Sequence, residues 1–425
     1  MKVAILTTGS RGDVQPYVAL GTGLEAAGHE VVLATGKGFA EFVAEHGLRH
    51  AALDVDLFER MQTPEGKAAL AGKNLPGTIR KVMATYRRLL DDEWTAAQGA
   101  DVVVYHPKAL GGYHVAEALG VPGFLAHPVP MFSPTRAFPN PVLPFADLGG
   151  YFNEASYGAF LRLLTTPFHR TINRWRKESL GLPPRRLMAS ELEIEGQPVR
   201  TLVCCSPRVV PPPADWKGST TVTGYWFLDR RDDWHPPSSL ANFLASGPPP
   251  VYVGFGSLAG WTPVRVVAAA IAALRKTGQR GVLVTGGGRV PPDLPADVYA
   301  IESAPHDWLF PRMAALVHHG GAGTTAEGLR AGKPAVICPT TLNDQVFWGR
   351  RVAGLGAGPE PVPQRKLTVE RLTGAIRVAV GDRGMRERAA ELGREIRVEK
   401  GVARAVGIIE GGEQEKTRWH DGGGR

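Results

Sequence analysis

The chain has 425 residues, 49 Lys and Arg against 41 Asp and Glu (net +8), 43% hydrophobic and 21% charged residues. This is globular composition, too apolar for a disordered chain and long enough for two or three domains whose cores need no disulfide or metal staples. Three cysteines, two of them adjacent (Cys204 and Cys205), exclude a disulfide framework, offer no zinc-ligand spacing and suit a reduced, cytoplasmic setting.

Lys2–Thr7 (KVAILT) is an apolar run that predicts a strand, with no secretory-signal pattern before the turn Thr8-Gly9-Ser10-Arg11-Gly12. A helical pattern with Val18, Leu20 and Leu24 closes at Gly28, and Val31–Ala34 is the next strand. Asp101–Tyr105, a helix over Tyr113–Leu119 and a strand over Phe124–Ala126 repeat the rhythm. Short apolar strands alternating with helices imply parallel βαβ units covered on both faces. The charge-free run Ala118–Thr135 holds Pro122, Pro128, Pro130 and Pro134, so it is no membrane span, and at most peripheral membrane contact is expected. Residues 127–180 mix Pro, Phe, Tyr and Trp. They suit either an irregular loop or the wall of a pocket for a bulky apolar ligand, with Met131, Phe132 and Phe138 as wall candidates.

The rhythm restarts at Val251–Phe255, followed by a helix over Val264–Leu274 and strands over Val282–Thr285, Tyr299–Ile301, Leu316–His318 and Ala335–Cys338. Proline clusters at 211–213, 236–237 and 248–250 mark a linker. The reading is α/β, with a first domain over 1–215, a linker over 216–239, a second domain over 240–400 and a C-terminal segment over 401–425 whose tail after Gly411 is predicted to lack order.

In doubly wound sheets, ligands sit beyond the carboxyl ends of the strands, and two glycine-rich turns fall there. The first carries Asp13, which without further context reads as a helix cap. The second is His318-His319-Gly320-Gly321-Ala322-Gly323-Thr324-Thr325, ahead of a helix to Arg330. Consecutive glycines before a helix present N–H groups and a positive dipole end to phosphate oxygens, and His319, Thr324 and Thr325 add donors. Glu327, one turn in, suits ribose hydroxyls. Asn343-Asp344-Gln345 suits a polyhydroxylated ligand, or a helix start with Asp344 as cap. The basic balance and the absence of a nucleic-acid motif favour a phosphate-bearing small molecule.

Six stretches together resemble one family: Leu6–Leu24 (LTTGSRGDVQPYVALGTGL), Pro134–Pro141 (PTRAFPNP), Val222–Asp229 (VTGYWFLD), Gly254–Ser257 (GFGS), His318–Pro339 and Asp344–Pro359. The chain resembles the nucleotide-sugar-dependent glycosyltransferases of GT-B architecture, two Rossmann-like domains facing across a cleft. Within them it is similar to sterol 3β-glucosyltransferases and to bacterial enzymes that glycosylate polyketides and other secondary metabolites. The resemblance implies that the second domain holds a UDP- or dTDP-sugar as co-substrate and the first an apolar hydroxylated acceptor. His319, Gly320, Gly321, Gly323, Thr324 and Thr325, with Ser257, would take the diphosphate. Glu327 would take the ribose, with Ser303, His306 and Trp308 by the base (a buried core Trp is the competing reading). Asn343, Asp344 and Gln345 would contact the donor sugar.

Asp13 would be the general base of an inverting transfer, oriented by Ser10 and Arg11. His106 is a second orienting candidate, although a surface-loop His is the commoner case. No cofactor or metal is implied; the nearest thing to an Asp-x-Asp pair for a metal diphosphate, Asp54-Val55-Asp56, lacks the family context. Ala, Gly and Arg usage suggests a GC-rich bacterial gene. The readings from other classes are a sugar-nucleotide epimerase, a catalytically silent auxiliary partner and a dinucleotide oxidoreductase. The last lacks the GxGxxG fingerprint.

Overall fold

The computed structural model describes the chain outside residues 54–74, 144–146, 187–192, 195–196, 217, 231–232, 256–263, 289, 291–292, 341–342 and 423–425, and its side chains also outside 75–82, 193–194, 197–198, 343 and 412–422. The strands, in chain order, build two parallel sheets and one small hairpin. The first sheet contains β1 (Lys2–Leu6), β2 (Glu30–Gly36), β3 (Arg49–Leu53), β4 (Val102–Tyr105) and β5 (Gly123–His127). After the antiparallel hairpin β6 (Glu193–Ile194) and β7 (Gln197–Pro198), it is completed by β8 (Arg200–Val203) and β9 (Thr220–Val222). Its order is β3-β2-β1-β4-β5-β8-β9. The second sheet contains β10 (Val251–Gly254), β11 (Gly281–Val284), β12 (Val298–Ile301), β13 (Ala315–His318) and β14 (Ala335–Ile337), in the order β12-β11-β10-β13-β14. The apolar strands β1, β4 and β10 are buried along almost their whole length, as central strands of covered parallel sheets must be.

Each sheet reverses its strand order once. In the first, β1 is flanked by β2 and β4, with Leu6 level with Tyr105; in the second, β10 is flanked by β11 and β13, with Gly254 level with His318. At such a switch point the two following connections leave in opposite directions and open a crevice at the strand ends. The turns after β1 and β13 singled out in the sequence therefore stand at the two crevices.

Two boundaries differ from expectation. The first sheet takes β9 from beyond residue 215, and the stretch assigned as linker is pinned at several points. The Trp216 indole donates to the Ser133 carbonyl, and Tyr225 and Trp226 are buried. Three strand residues with one buried side chain carry too little apolar signal to be read as a strand. The last helix runs Gly401–Gly422, so helical backbone continues past Gly411. That helix returns to the first domain, where Ala405, Val406 and Ile409 join Leu20 and Leu24 in one core cluster. The chain crosses between the domains at two adjacent places, where Gly224, with φ +101°, lies against Gly401. A Cβ on Gly401 would stand 2.3 Å from the Tyr225 carbonyl oxygen.

Replacing Ile409 by Ala removes a fully buried side chain from the first domain's core. It should cost about 2–4 kcal/mol in urea denaturation, although the residue lies near the far end of the chain. An unchanged midpoint would show that the last helix does not stabilise that domain.

Candidate active site

The first crevice is built around Asp13. Ser10 caps the helix Arg11–Ala26 in a capping box with Asp13 at its third position. The Ser10 N–H and hydroxyl donate to Asp13 Oδ2 at 2.7 and 2.9 Å. The Lys108 ammonium approaches the same oxygen at 2.8 Å. Gly9 has φ +130°, and a Cβ there would lie 2.4 Å from Asp13 Oδ2, so the turn requires glycine. Asp13 is thus the cap that local sequence suggests, but only through Oδ2. Its Oδ1 faces His106 Nε2 at 3.5 Å, too long for a good hydrogen bond.

His106 is not a surface-loop residue: it is 2% exposed at the end of β4. Its Nδ1 accepts the Lys108 backbone N–H at 3.0 Å, which places the ring proton on Nε2, toward Asp13. Burial, with the opposing pull of Asp13, leaves its pKa at about 3, so the ring is neutral. A neutral ring with Nε2 protonated cannot act there as base; the carboxylate can. Burial alone would raise the Asp13 carboxyl. Lys108, followed by His106 and then the Ser10 N–H, outweighs it and holds the group below the ordinary carboxylate range.

Lys108 escaped the sequence reading. Its signal is its place, two residues after His106 in the loop beyond β4. Arg11 does not orient Asp13. Its guanidinium bonds Gln15 and lies over the Phe42 ring, and its charge is felt instead at His306 in the second domain.

The second crevice follows β13. Gly320 has φ +90°, and a Cβ on it would meet Ile337 at 2.6 Å and the Gln345 carbonyl at 3.0 Å. A Cβ on Gly321 would strike the His319 ring at 2.5 Å, whereas nothing lies within 4 Å of one on Gly323. The glycines let the turn close, and Gly323 leaves approach to the start of the helix Ala322–Arg330 open. His319 Nδ1, His318 Nε2 and Thr325 Oγ1 are buried with no hydrogen-bond partner among the described residues. Three unsatisfied groups at one helix start are the chemistry of a site that takes an oxygen-rich ligand. Burial lowers the His319 pKa to about 4, so it offers a neutral N–H rather than a cation.

Glu327 is 8% exposed; burial, against the pull of Arg330, raises its pKa to about 8. His306 is half-buried and stacked on Phe310 at 4.2 Å, and Ser303 is exposed. Trp308 belongs to the core: it packs against Trp234 at 5.2 Å and under the Arg312 guanidinium. Ser257 and the Asp54-Val55-Asp56 stretch lie outside the described residues, as does the side chain of Asn343.

Asp344 and Gln345 open the helix Asn343–Gly354. Asp344 sits in its first turn, where a carboxylate suits the helix dipole. Gln345 is 3% exposed, and its Oε1 accepts from the Thr340 N–H and hydroxyl at 2.8 and 2.9 Å, which leaves its NH₂ to donate. Burial raises the Asp344 carboxyl; Lys108 opposes this and Asp13 adds to it. The two crevices are therefore close enough for their charges to be felt across the cleft.

Of the residues expected to form a pocket wall, Met131 and Phe138 are partly buried, and Phe138 packs against Trp216 and against Phe347 of the second domain. Phe132 is 8% exposed, between His127 and Phe160. The segment 134–141 is no free loop. Asp215 accepts the Thr135 hydroxyl and the Arg136 N–H, both at 2.8 Å, a clamp that sequence reading could not see.

Two parallel-sheet domains with strand-end crevices facing each other define a GT-B fold. Residues 3–138 match the glycosyltransferase family 28 N-terminal domain, and residues 284–407 match the erythromycin biosynthesis protein CIII-like C-terminal domain. Between them these matches take in more than half of the chain, which belongs to the glycosyltransferases of the GT-B fold. The chain is 38% identical to a sterol 3-beta-glucosyltransferase of Emericella nidulans over 96% of its own length and 30% of that protein's. It is 36% identical to one of Yarrowia lipolytica over 96% and 28%. It thus spans about three-tenths of the length of these relatives. Among solved structures, the glycotransferase of kitacinnamycin aligns with a TM-score of 0.71 at 23% identity, covering 97% of this chain and 98% of that one. The glycosyltransferase VinC in complex with dTDP aligns with a TM-score of 0.67 at 19% identity, covering 98% and 100%.

Two titrations follow from this geometry. Lys108→Met should raise the Asp13 pKa, read by carboxyl ¹³C NMR; an unmoved resonance would remove the ion pair as the cause. Glu327 binds its proton more tightly folded, with a pKa of about 8, than unfolded, near 4.5. The folded state therefore holds the extra proton between those values, and its stability contribution falls as pH rises through that window. Glu327→Gln should flatten the decline of the melting temperature from pH 5 to pH 8.

Proposed function

We propose that the chain transfers a hexose, glucose from UDP-glucose, to the hydroxyl of an apolar polycyclic alcohol such as a sterol, with inversion at the anomeric carbon and without a metal ion. The observation that carries this is the facing of two carboxylates, Asp13 from the first domain and Asp344 from the second, with Lys108 acting on both. One suits an acceptor hydroxyl and the other a sugar hydroxyl. The relatives named above support glucose and a sterol.

In this reading the alcohol oxygen attacks the anomeric carbon, and its proton passes to Asp13 Oδ1, the oxygen the cap leaves over. The bond from that carbon to the diphosphate breaks, and its electron pair leaves on the nucleotide. The N–H groups of the turn 320–325 and His319 meet the developing charge. Glu327 accepts from the ribose, with Ser303 and His306 toward the base. Dipoles and neutral donors would do the work that a metal does elsewhere. Attack on one face with departure from the other turns an α-linked donor into a β-glycoside.

A second reading keeps this mechanism and changes the substrates to a dTDP-sugar and a macrolide or other bacterial secondary metabolite. The match of residues 284–407 to the erythromycin-type domain favours it.

The test is hexose transfer, read by mass, from UDP-glucose or dTDP-glucose to sterols and to polyketide aglycones, with and without a chelator. The expected result is a sterol glucoside from UDP-glucose, insensitive to chelation, with Asp13→Asn slower by about 10²–10⁴-fold and His319→Ala impaired as well. Product on polyketides alone would discard the sterol. Nucleotide binding with no transfer to any acceptor would make the chain a silent partner, and full activity in Asp13→Asn would remove the base. Because Asp13 lies below the ordinary carboxylate range, kcat/KM should stay flat as pH falls from neutral to 5; a decline there would mean a base of higher pKa.

A further inference from the structure

The helix Gly150–Thr165 covers the proposed acceptor side, and its two faces are unlike in what covers them. The inner face carries Asn153, Ser156, Tyr157, Phe160 and Leu164, all buried or partly buried. The Asn140 N–H donates to the Ser156 hydroxyl at 2.8 Å, Asn153 donates to the Arg136 carbonyl at 3.0 Å, and Phe160 packs on Phe132. This face fixes the wall segment 131–141.

The outer face carries Tyr151, Phe152, Ala155, Gly158, Ala159, Arg162 and Leu163, all exposed. Tyr151 is 76% exposed, Phe152 61% and Leu163 70%, and Leu148 just before the helix is 65% exposed. These four are half of the large hydrophobic side chains exposed among the described residues. A helix apolar all round is normally buried, and a clustered exposed apolar face on a globular protein marks an interaction surface.

The surrounding charge says what covers it. The exposed charges of residues 148–186 are five cations against Glu154 and Glu178, a net of +3, while Arg176 is buried on Glu117. Arg162, Arg170, Arg174, Lys177 and Arg186 are exposed. A second copy of this chain would bring the same positive field against itself. An anionic lipid surface answers both features, since aromatic and leucine side chains enter the interface while Arg and Lys meet the headgroups.

We propose that this outer face docks the protein on an anionic membrane surface, through Tyr151, Phe152 and Leu163 with Arg162 and Arg170, and so presents the acceptor wall to lipid-dissolved molecules. The acceptor part of this statement rests on the proposed function; the docking does not, and its test needs no turnover. The full chain is sedimented with vesicles of phosphatidylcholine alone and of phosphatidylcholine with phosphatidylglycerol. Two variants are compared: Tyr151→Ser/Phe152→Ser/Leu163→Ser, and Arg162→Glu/Arg170→Glu. UDP binding and circular dichroism check that each is folded.

The expected result is binding to the anionic vesicles, weaker binding to the neutral ones, and affinity for the anionic vesicles reduced at least about tenfold in either variant. The second variant keeps the test valid if the first fails to fold. No sedimentation of the parent chain, or sedimentation unchanged in folded variants, overturns the proposal. So does a dimer in solution that the triple variant dissociates, because the face would then belong to a second copy. Failure of hexose transfer to sterols would leave the vesicle result standing and overturn only the substrate.

Discussion

The cleft depends on one electrostatic constraint: the Asp13 carboxylate must stay charged where burial opposes it. Lys108 at 2.8 Å and the two Ser10 donors meet that requirement. All three act on Oδ2, so that oxygen is held while Oδ1 faces His106 Nε2 at 3.5 Å. A carboxylate held this way is ordered and ionised, but it is also a weakened base. The charge of the same Lys108 is felt at Asp344, so the two crevices share one cation.

That arrangement follows from sheet topology. Asp13 and Lys108 come from loops after β1 and β4, which are neighbours in space but separated by about a hundred residues in sequence. Parallel pairing sets Leu6 level with Tyr105 and sends both loops out at the same edge. The second domain repeats the geometry at β10 and β13, where the His319–Thr325 turn holds buried polar groups with no hydrogen-bond partner among the described residues. The two crevices thus arise from the same feature of a doubly wound sheet, one around a buried carboxylate and the other around a glycine-rich turn at a helix start.

The domains are joined by more than a tether. The last helix packs on the helix that carries Asp13, and the glycine pair 224 and 401 lets two backbone crossings touch. Arg351 of the second domain donates to the Val209 carbonyl, and Ser206 donates to Glu399 at 2.5 Å. Any relative movement of the domains has to work around these contacts, which all lie on the side where the chain crosses.

Local sequence determined the elements with strong periodicity. β1, β4, β5, β10 and β13 were legible as apolar runs, and the two glycine-rich turns as strand-end sites. The alternation implied parallel sheets, and the six matching stretches implied the family. Tertiary structure alone decided the rest. Edge strands such as β3 and β9 have weak patterns because only their pairing stabilises them. Trp308 could be ligand-facing or core until its neighbours Trp234 and Arg312 were in place. His106 reads as a loop histidine because nothing local says that the loop is buried. Lys108 becomes part of the site only when β4 lies beside β1, since an ion pair is a property of two surfaces brought together and of neither segment by itself.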